Sequence, residues 1–131
     1  MRFVLDTSAW LAHYRREAGS TRVLELFDEP RNEIFVSVVS LVEFYARLKA
    51  FGLQSYFEPV REAYAPLFIL LPVTQEIAQK AVDLRGAATK RLPTVDALIA
   101  ATAAAHNAVL IHRDLHFTGI PAELLHQELL V

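Results

Sequence analysis

Residues 94–112 read TVDALIAATAAAHNAVLIH. A hydroxyl and an acid open the stretch, small helix formers fill it, an Asn closes it, and aliphatic residues follow. The pattern predicts a helix capped by Thr94 and ended by Asn107, running straight into a strand at 108–112. The small side chains Ala97, Ala100, Ala101, Ala104 and Ala105 would let that helix lie close on a sheet. A helix that delivers the chain directly to a short apolar strand is half of a βαβ unit.

Working towards the N-terminus, the same alternation recurs. RFVL (2–5) reads as a buried strand, and 7–16 as a helix with Trp10, Leu11 and Tyr14 on one face. STRVLELF forms a second helix with Ser20 as its cap, and EIFVSVV (33–39) is a strand rich in β-branched residues. Ser40 opens a helix to Gly52, and 54–66 is helical up to Pro66. FILLPV (68–73) is a third strand, and Thr74 caps a helix to about Thr89 before the break at RLPT. Beyond the 108–112 strand, HQELLV adds a short fifth. Strands alternating with helices predict an α/β domain whose mainly parallel sheet of four to five strands carries helices on both faces.

Just over half of the 131 residues are hydrophobic, with four Gly and six Pro, so one folded domain spanning 1–131 is expected rather than a disordered chain. The lack of cysteine excludes a disulfide framework, thiol catalysis and a Cys-ligated zinc or iron–sulfur site. Arg2 and Asp6 interrupt the first apolar stretch, against a signal peptide. APLFILLPV and ALIAATAAA are too short to cross a bilayer. A soluble, cytoplasmic domain without membrane association is therefore expected. Thirteen basic and fifteen acidic residues leave a net charge of −2, which lends no support to broad electrostatic nucleic-acid binding. Contact with RNA or DNA would be local, at Arg15–Arg16, Arg47 with Lys49, Lys90–Arg91 or Arg113, each of which also fits ordinary surface charge.

Four carboxylates fall where strands end or helices begin. Asp6 follows the first strand, Glu43 lies four residues past Val39, Asp96 is in the first turn of the Ala-rich helix, and Asp114 comes two residues after the fourth strand. In an open parallel sheet, carboxyl strand ends and helix N-termini share one edge, where ligands bind. Taken singly, each acid has a structural explanation. SLVE (40–43) fits a capping box of Ser40 and Glu43, Asp96 complements a helix dipole, Asp6 caps the helix from Thr7, and Asp114 shapes a turn. Taken together they would repel, by roughly 4 kcal/mol for a pair about 4 Å apart at an effective dielectric near 20. A cation or raised pKa values must offset that repulsion. Hard oxygen donors without cysteine suit Mg²⁺ or Mn²⁺ rather than zinc, and such an ion can activate water and clamp a phosphodiester.

FVLDTSAW, VSLVEF and PTVDALIAATAAAHNAVLIHRDLHF, in this order over nearly the whole chain, closely resemble the PIN domain, especially the VapC-type toxins of toxin–antitoxin pairs. The resemblance implies a three-layer α/β/α fold and a Mg²⁺- or Mn²⁺-dependent endoribonuclease, homodimeric and held inactive by a small cognate antitoxin. By motif it assigns metal and catalytic roles to Asp6, Glu43, Asp96 and Asp114, with Thr7 and Ser8 as supporting hydroxyls. Lys90, Arg91 and Arg113 are the basic residues placed to steer an RNA backbone. The family usually carries Thr, Ser or Asn where this chain has His112, which either donates a hydrogen bond or simply ends the strand. His116 is assigned neither as ligand nor as base. His13, His106 and His126 have no partner at metal-binding spacing.

Two other Asp-bearing α/β classes fit poorly. A haloacid dehalogenase-type phosphatase needs a second Asp where Ser8 stands, and a response-regulator receiver needs a late Lys that the strand ends do not offer. A non-catalytic PIN-like module that binds RNA or protein is the alternative. The aromatic segments FYARLKAFGLQSYF (44–57) and WLAHY (10–14) either pack internally or line a groove for a partner helix.

Overall fold

Side-chain alternation along the strands sets the layering. The computed structural model describes residues 1–131. In β1 (Arg2–Leu5), Phe3 and Leu5 enter one core while Val4 enters another. In β2 (Glu33–Ser37), Ile34 and Val36 join the first core and Phe35 the second. In β4 (Val109–His112), Ile111 and Leu110 divide the same way. A strand apolar on both faces must be covered on both. One face is covered by α1 (Thr7–Arg15), α2 (Ser20–Asp28), α3 (Val39–Ala50) and α4 (Phe57–Tyr64), and the other by α5 (Gln75–Ala87) and α6 (Thr94–Ala105). The result is the expected three-layer α/β/α sandwich.

With β3 (Ile69–Leu71) and β5 (Gln127–Leu129), the sheet has five strands in the order β3-β2-β1-β4-β5, every neighbouring pair parallel. The order reverses between β1 and β4, which pair in register from Phe3↔Val109 to Leu5↔Ile111. A crevice opens at such a switch point, beyond the carboxyl ends of the strands. No helix is long and apolar enough to cross a membrane.

The first core is centred on Trp10, fully buried, stacked on Phe44 with ring centroids 3.8 Å apart and met edge-on by Tyr64 and Phe68. Thus Trp10, Leu11, Phe44 and Leu48 of the two aromatic segments pack internally, while Tyr45, Phe51 and Tyr56 stay exposed, as does the neighbouring Val42. The guanidinium of Arg15 sits 3.8 Å over the Phe51 ring.

Several helix starts differ from the sequence expectation. Thr74 does cap α5, its hydroxyl accepting from Ile77 N–H at 3.2 Å. Thr94 does not cap α6. Pro93 takes the cap position with its fixed φ, and Thr94 is the first helical residue, its hydroxyl 3.4 Å from Arg85. Ser20 likewise lies inside α2 behind Gly19, whose φ of +94° starts the turn. β2 stops at Ser37, whose hydroxyl accepts from Val39 N–H, so α3 starts a residue early and Ser40 faces inward rather than forming a capping box.

Candidate metal centre

Each of the four acids is delivered by a different element. Asp6 is the residue between β1 and α1, and its backbone N–H still donates to Ile111 O at 3.0 Å, holding it at the end of the sheet. As N-cap of α1, its Oδ2 accepts from the Ser8 N–H at 3.1 Å and the Ser8 hydroxyl at 2.5 Å. Ser8 Oγ in turn accepts from the Arg113 N–H at 2.9 Å, tying the ends of β1 and β4 together. The capping role and the site role therefore coincide in one carboxylate, which spends Oδ2 on the helix and keeps Oδ1 free.

Glu43 reaches in from α3. The Thr7 hydroxyl donates to its Oε1 at 2.7 Å and lies 3.0 Å from Ser40 Oγ. A hydroxyl has a single proton, so Ser40 is the donor in that second contact. Asp96 is the third residue of α6, where the helix dipole favours an anion, and its Oδ2 is 2.8 Å from His116 Nδ1. Asp114 caps the short 3-10 turn at 115–119, its Oδ1 accepting from the His116 N–H at 2.9 Å and standing 3.1 Å from His116 Nδ1. All four carboxylates follow one pattern: one oxygen is engaged by the protein and the other accepts no hydrogen bond.

Ligand atoms of Asp6, Glu43 and Asp96 lie within 4.8 Å of one another, and so do those of Asp96, Asp114 and His116. Asp96 belongs to both groups and joins them. Burial, reinforced by the charges of Asp96 and Glu43, pushes the Asp6 carboxyl up to about 7. Burial likewise raises Glu43 and Asp96 above the ordinary carboxylate range, against the opposing hydrogen bonds from Thr7 and His116. None of the Arg or Lys ion pairs reaches any of the four acids. Buried and half-buried, mutually repelling carboxylates with free oxygens and no Arg or Lys ion pair make a donor set that fits a hard divalent cation.

The acids open into a cleft of about 450 Å³ whose wall also carries Arg47, Arg113 and Glu17. Arg113 is the one proposed backbone-steering residue in this wall, and it is shared with Glu17 at 3.3 Å. Lys90 and Arg91 lie outside it, with Lys90 Nζ donating to Thr118 at 2.7 Å. Arg47, one of the scattered basic candidates, does reach the cleft.

His116 is the residue that sequence reasoning passed over. Its ring bridges Asp96 and Asp114, a contact invisible in sequence because Asp96 is twenty residues upstream. The available signal was the Asp-x-His turn at 114–116, which places a ring nitrogen beside the preceding carboxylate. His112 ends β4 fully buried. Both of its nitrogens have partners: Nδ1 accepts from the Asp114 N–H at 3.2 Å and Nε2 lies 2.8 Å from Gln127 Oε1. Burial lowers its pKa below the ordinary imidazole value.

The sequence profile of the PIN domain matches residues 3–123. Among solved structures, VapBC2 from Rickettsia felis bound to a DNA fragment from its promoter shares 21% identity and a TM-score of 0.80, with 100% of both chains covered. A toxin–antitoxin complex from Klebsiella pneumoniae shares 28% identity at a TM-score of 0.69, covering 90% of this chain and 92% of that one. VapC20 from Mycobacterium tuberculosis, a sarcin–ricin loop cleaving toxin, shares 16% identity at a TM-score of 0.68, covering 91% and 96%. No curated protein sequence matches the chain.

Proposed function

The chain belongs to the PIN domain family, and from that premise we propose that it is a VapC-type toxin, a Mg²⁺- or Mn²⁺-dependent endoribonuclease restrained by a cognate antitoxin. The observation that carries this reading is the convergence of four carboxylates at the switch point, each with one free oxygen and none with an Arg or Lys partner. Asp6, Glu43, Asp96 and Asp114 would hold the ion. The bound cation supplies Lewis acidity toward a phosphodiester and lowers the pKa of attacking water.

The chain's own groups do the rest. The Ser40 and Thr7 hydroxyls fix one Glu43 oxygen, which would leave the other for the ion or a water it binds. Ser8 holds Asp6 and, through Arg113 N–H, the turn that carries Asp114. Arg47 and Arg113 in the cleft wall would pair with backbone phosphates, which position a strand without reading its sequence. Lys90 and Arg91, farther out, would meet RNA only beyond the cleft.

The exposed apolar group Val42, Tyr45, Phe51 and Tyr56 supports an antitoxin segment as partner, laid against the outer side of α3. A homodimer acting in the cytoplasm completes the reading.

The test is cleavage of total RNA by purified protein in Mg²⁺, Mn²⁺ or EDTA, with 5′ ends mapped by sequencing. Metal-dependent cuts at defined sites are expected from the wild type and none from Asp6→Asn or Asp96→Asn. Equal cleavage by the folded Asp6→Asn protein would overturn the assignment. RNA binding without cleavage in any metal would leave a non-catalytic module.

A further inference from the structure

We propose that His112 and Gln127 form a positioning pair that sets the Asp114 turn, making the C-terminal strand part of the metal centre's support. The inference rests on the metal reading above. The Asp114 backbone N–H, which can only donate, points at His112 Nδ1 at 3.2 Å, so Nδ1 must be bare and the ring's proton sits on Nε2. Nε2–H then donates to Gln127 Oε1 at 2.8 Å. That fixes the Gln127 amide, whose Nε2 donates to the Phe117 carbonyl at 2.9 Å. A backbone donor at one end and a backbone acceptor at the other permit one proton order only.

The chain of bonds closes on itself, because Asp114 caps the turn and Phe117 lies within it, on either side of His116. Phe117 is fully buried with its ring centroid 4.8 Å from that of His112, so the ring that takes the N–H also packs under the turn. The His112 backbone adds a further tie to the last strand, its carbonyl accepting from the Leu130 N–H at 2.7 Å. The direction in which Asp114 presents its free oxygen is therefore set from Gln127 in β5, eleven residues later in the chain than the His116 that bridges Asp114 to Asp96. His112 and Gln127 touch no reacting group and act only through Asp114. Residues that orient metal ligands in this way typically change metal affinity or activity by about 10–100-fold when replaced.

The test exploits the two ends of the imidazole. Asn places an amide oxygen close to where Nδ1 stands, so His112→Asn retains the acceptor for Asp114 N–H. Gln places its terminal group near Nε2, so His112→Gln retains the Gln127 contact and loses the Asp114 one. Mn²⁺ dissociation constants of the whole chain are measured by the paramagnetic resonance of free Mn²⁺, with Asp114→Asn setting the scale and melting temperatures recorded beside them. His112→Asn is expected within about threefold of the wild type, and His112→Gln about tenfold weaker or more. Gln127→Met, which keeps His112 but frees its Nε2, is expected to lose severalfold in Mn²⁺ affinity while remaining folded; it decides the matter should His112→Gln not fold. Wild-type affinity in His112→Gln or in Gln127→Met, or equal losses in His112→Asn and His112→Gln, would overturn the proposal. Loss of Mn²⁺ binding by Asp6→Asn together with wild-type binding by these variants would leave the metal reading standing and remove only the pair.

Discussion

Replacing Asp6 by Asn separates the electrostatic cost of the centre from its chemistry. Asp6 is 3% exposed, and its carboxyl is raised from 3.8 to about 7. The unfolded chain releases this proton near the ordinary value, whereas the folded protein keeps it up to about 7. Between those values the folded state binds more protons, so stability falls as pH rises through the window. The contribution is intact below pH 3.8, declines up to about 7 and is level above. With about 1.4 kcal/mol for each tenfold difference in acidity, the whole interval amounts to about 4 kcal/mol in metal-free protein. Asn carries no charge in this range, although its amide fits the two Ser8 donors less well, at a cost of about 1–2 kcal/mol. In EDTA above pH 7 the Asn variant should therefore be more stable by about 2–3 kcal/mol, roughly 5–10 °C in melting temperature for a chain of this length. The gain should shrink to almost nothing near pH 5. Mn²⁺ at about a thousand times its dissociation constant adds about 4.1 kcal/mol to the wild type and little to the variant, reversing their order. Thermal melts across this pH range, with and without Mn²⁺, read all of this directly. A stability difference that does not change with pH, or an Asn variant less stable than the wild type at about pH 8 in EDTA, would refute the reasoning.

Two further substitutions probe the supporting structure. Glu43→Gln keeps the oxygen that accepts from Thr7 but loses the charge, so without metal it should melt at least as high as the wild type, and it should lose about 10²-fold or more in RNA cleavage. Thr74→Ala removes the hydroxyl that caps α5 far from the centre, and should cost about 1 kcal/mol in urea unfolding with cleavage unchanged.

The layered fold was legible because both faces of the inner strands are apolar and helices alternate with them. Asp6, Glu43, Asp96 and Asp114 were legible for the same reason, since each sits at a strand-to-helix transition or a strand end that the sheet gathers at one edge. Cap identity was not. Thr94, Ser40 and Ser20 look like caps, yet a cap is defined by where the chain turns. Pro93, the early end of β2 at Ser37 and the positive φ of Gly19 each move that point by a residue or more. The aromatic segment at 44–57 reads as one apolar block, but the chain sends Phe44 and Leu48 inward and Tyr45 and Phe51 outward. His112 was legible as a strand end or hydrogen-bond donor and is both, but its partner Gln127 was not legible, nor was the Asp96 that meets His116, because each lies far off in sequence.

The strand order also governs when the centre can exist during synthesis. β1 lies in the middle of the sheet but is made first, and one of its two neighbours, β4, is made near the end. The Arg113–Ser8 bond that joins their ends spans 105 residues. Pairing across so long a stretch of chain is slow and must wait for both partners. Until β4 emerges, the nascent chain holds Asp6 and Glu43 beside an open edge of β1 that invites wrong pairing. Asp96 has no bridging histidine at that stage, and Asp114 has no turn to stand on. A partly made chain is thus not a weaker version of the finished one: the four acids can be gathered only once β4 and the turn behind it have joined the sheet.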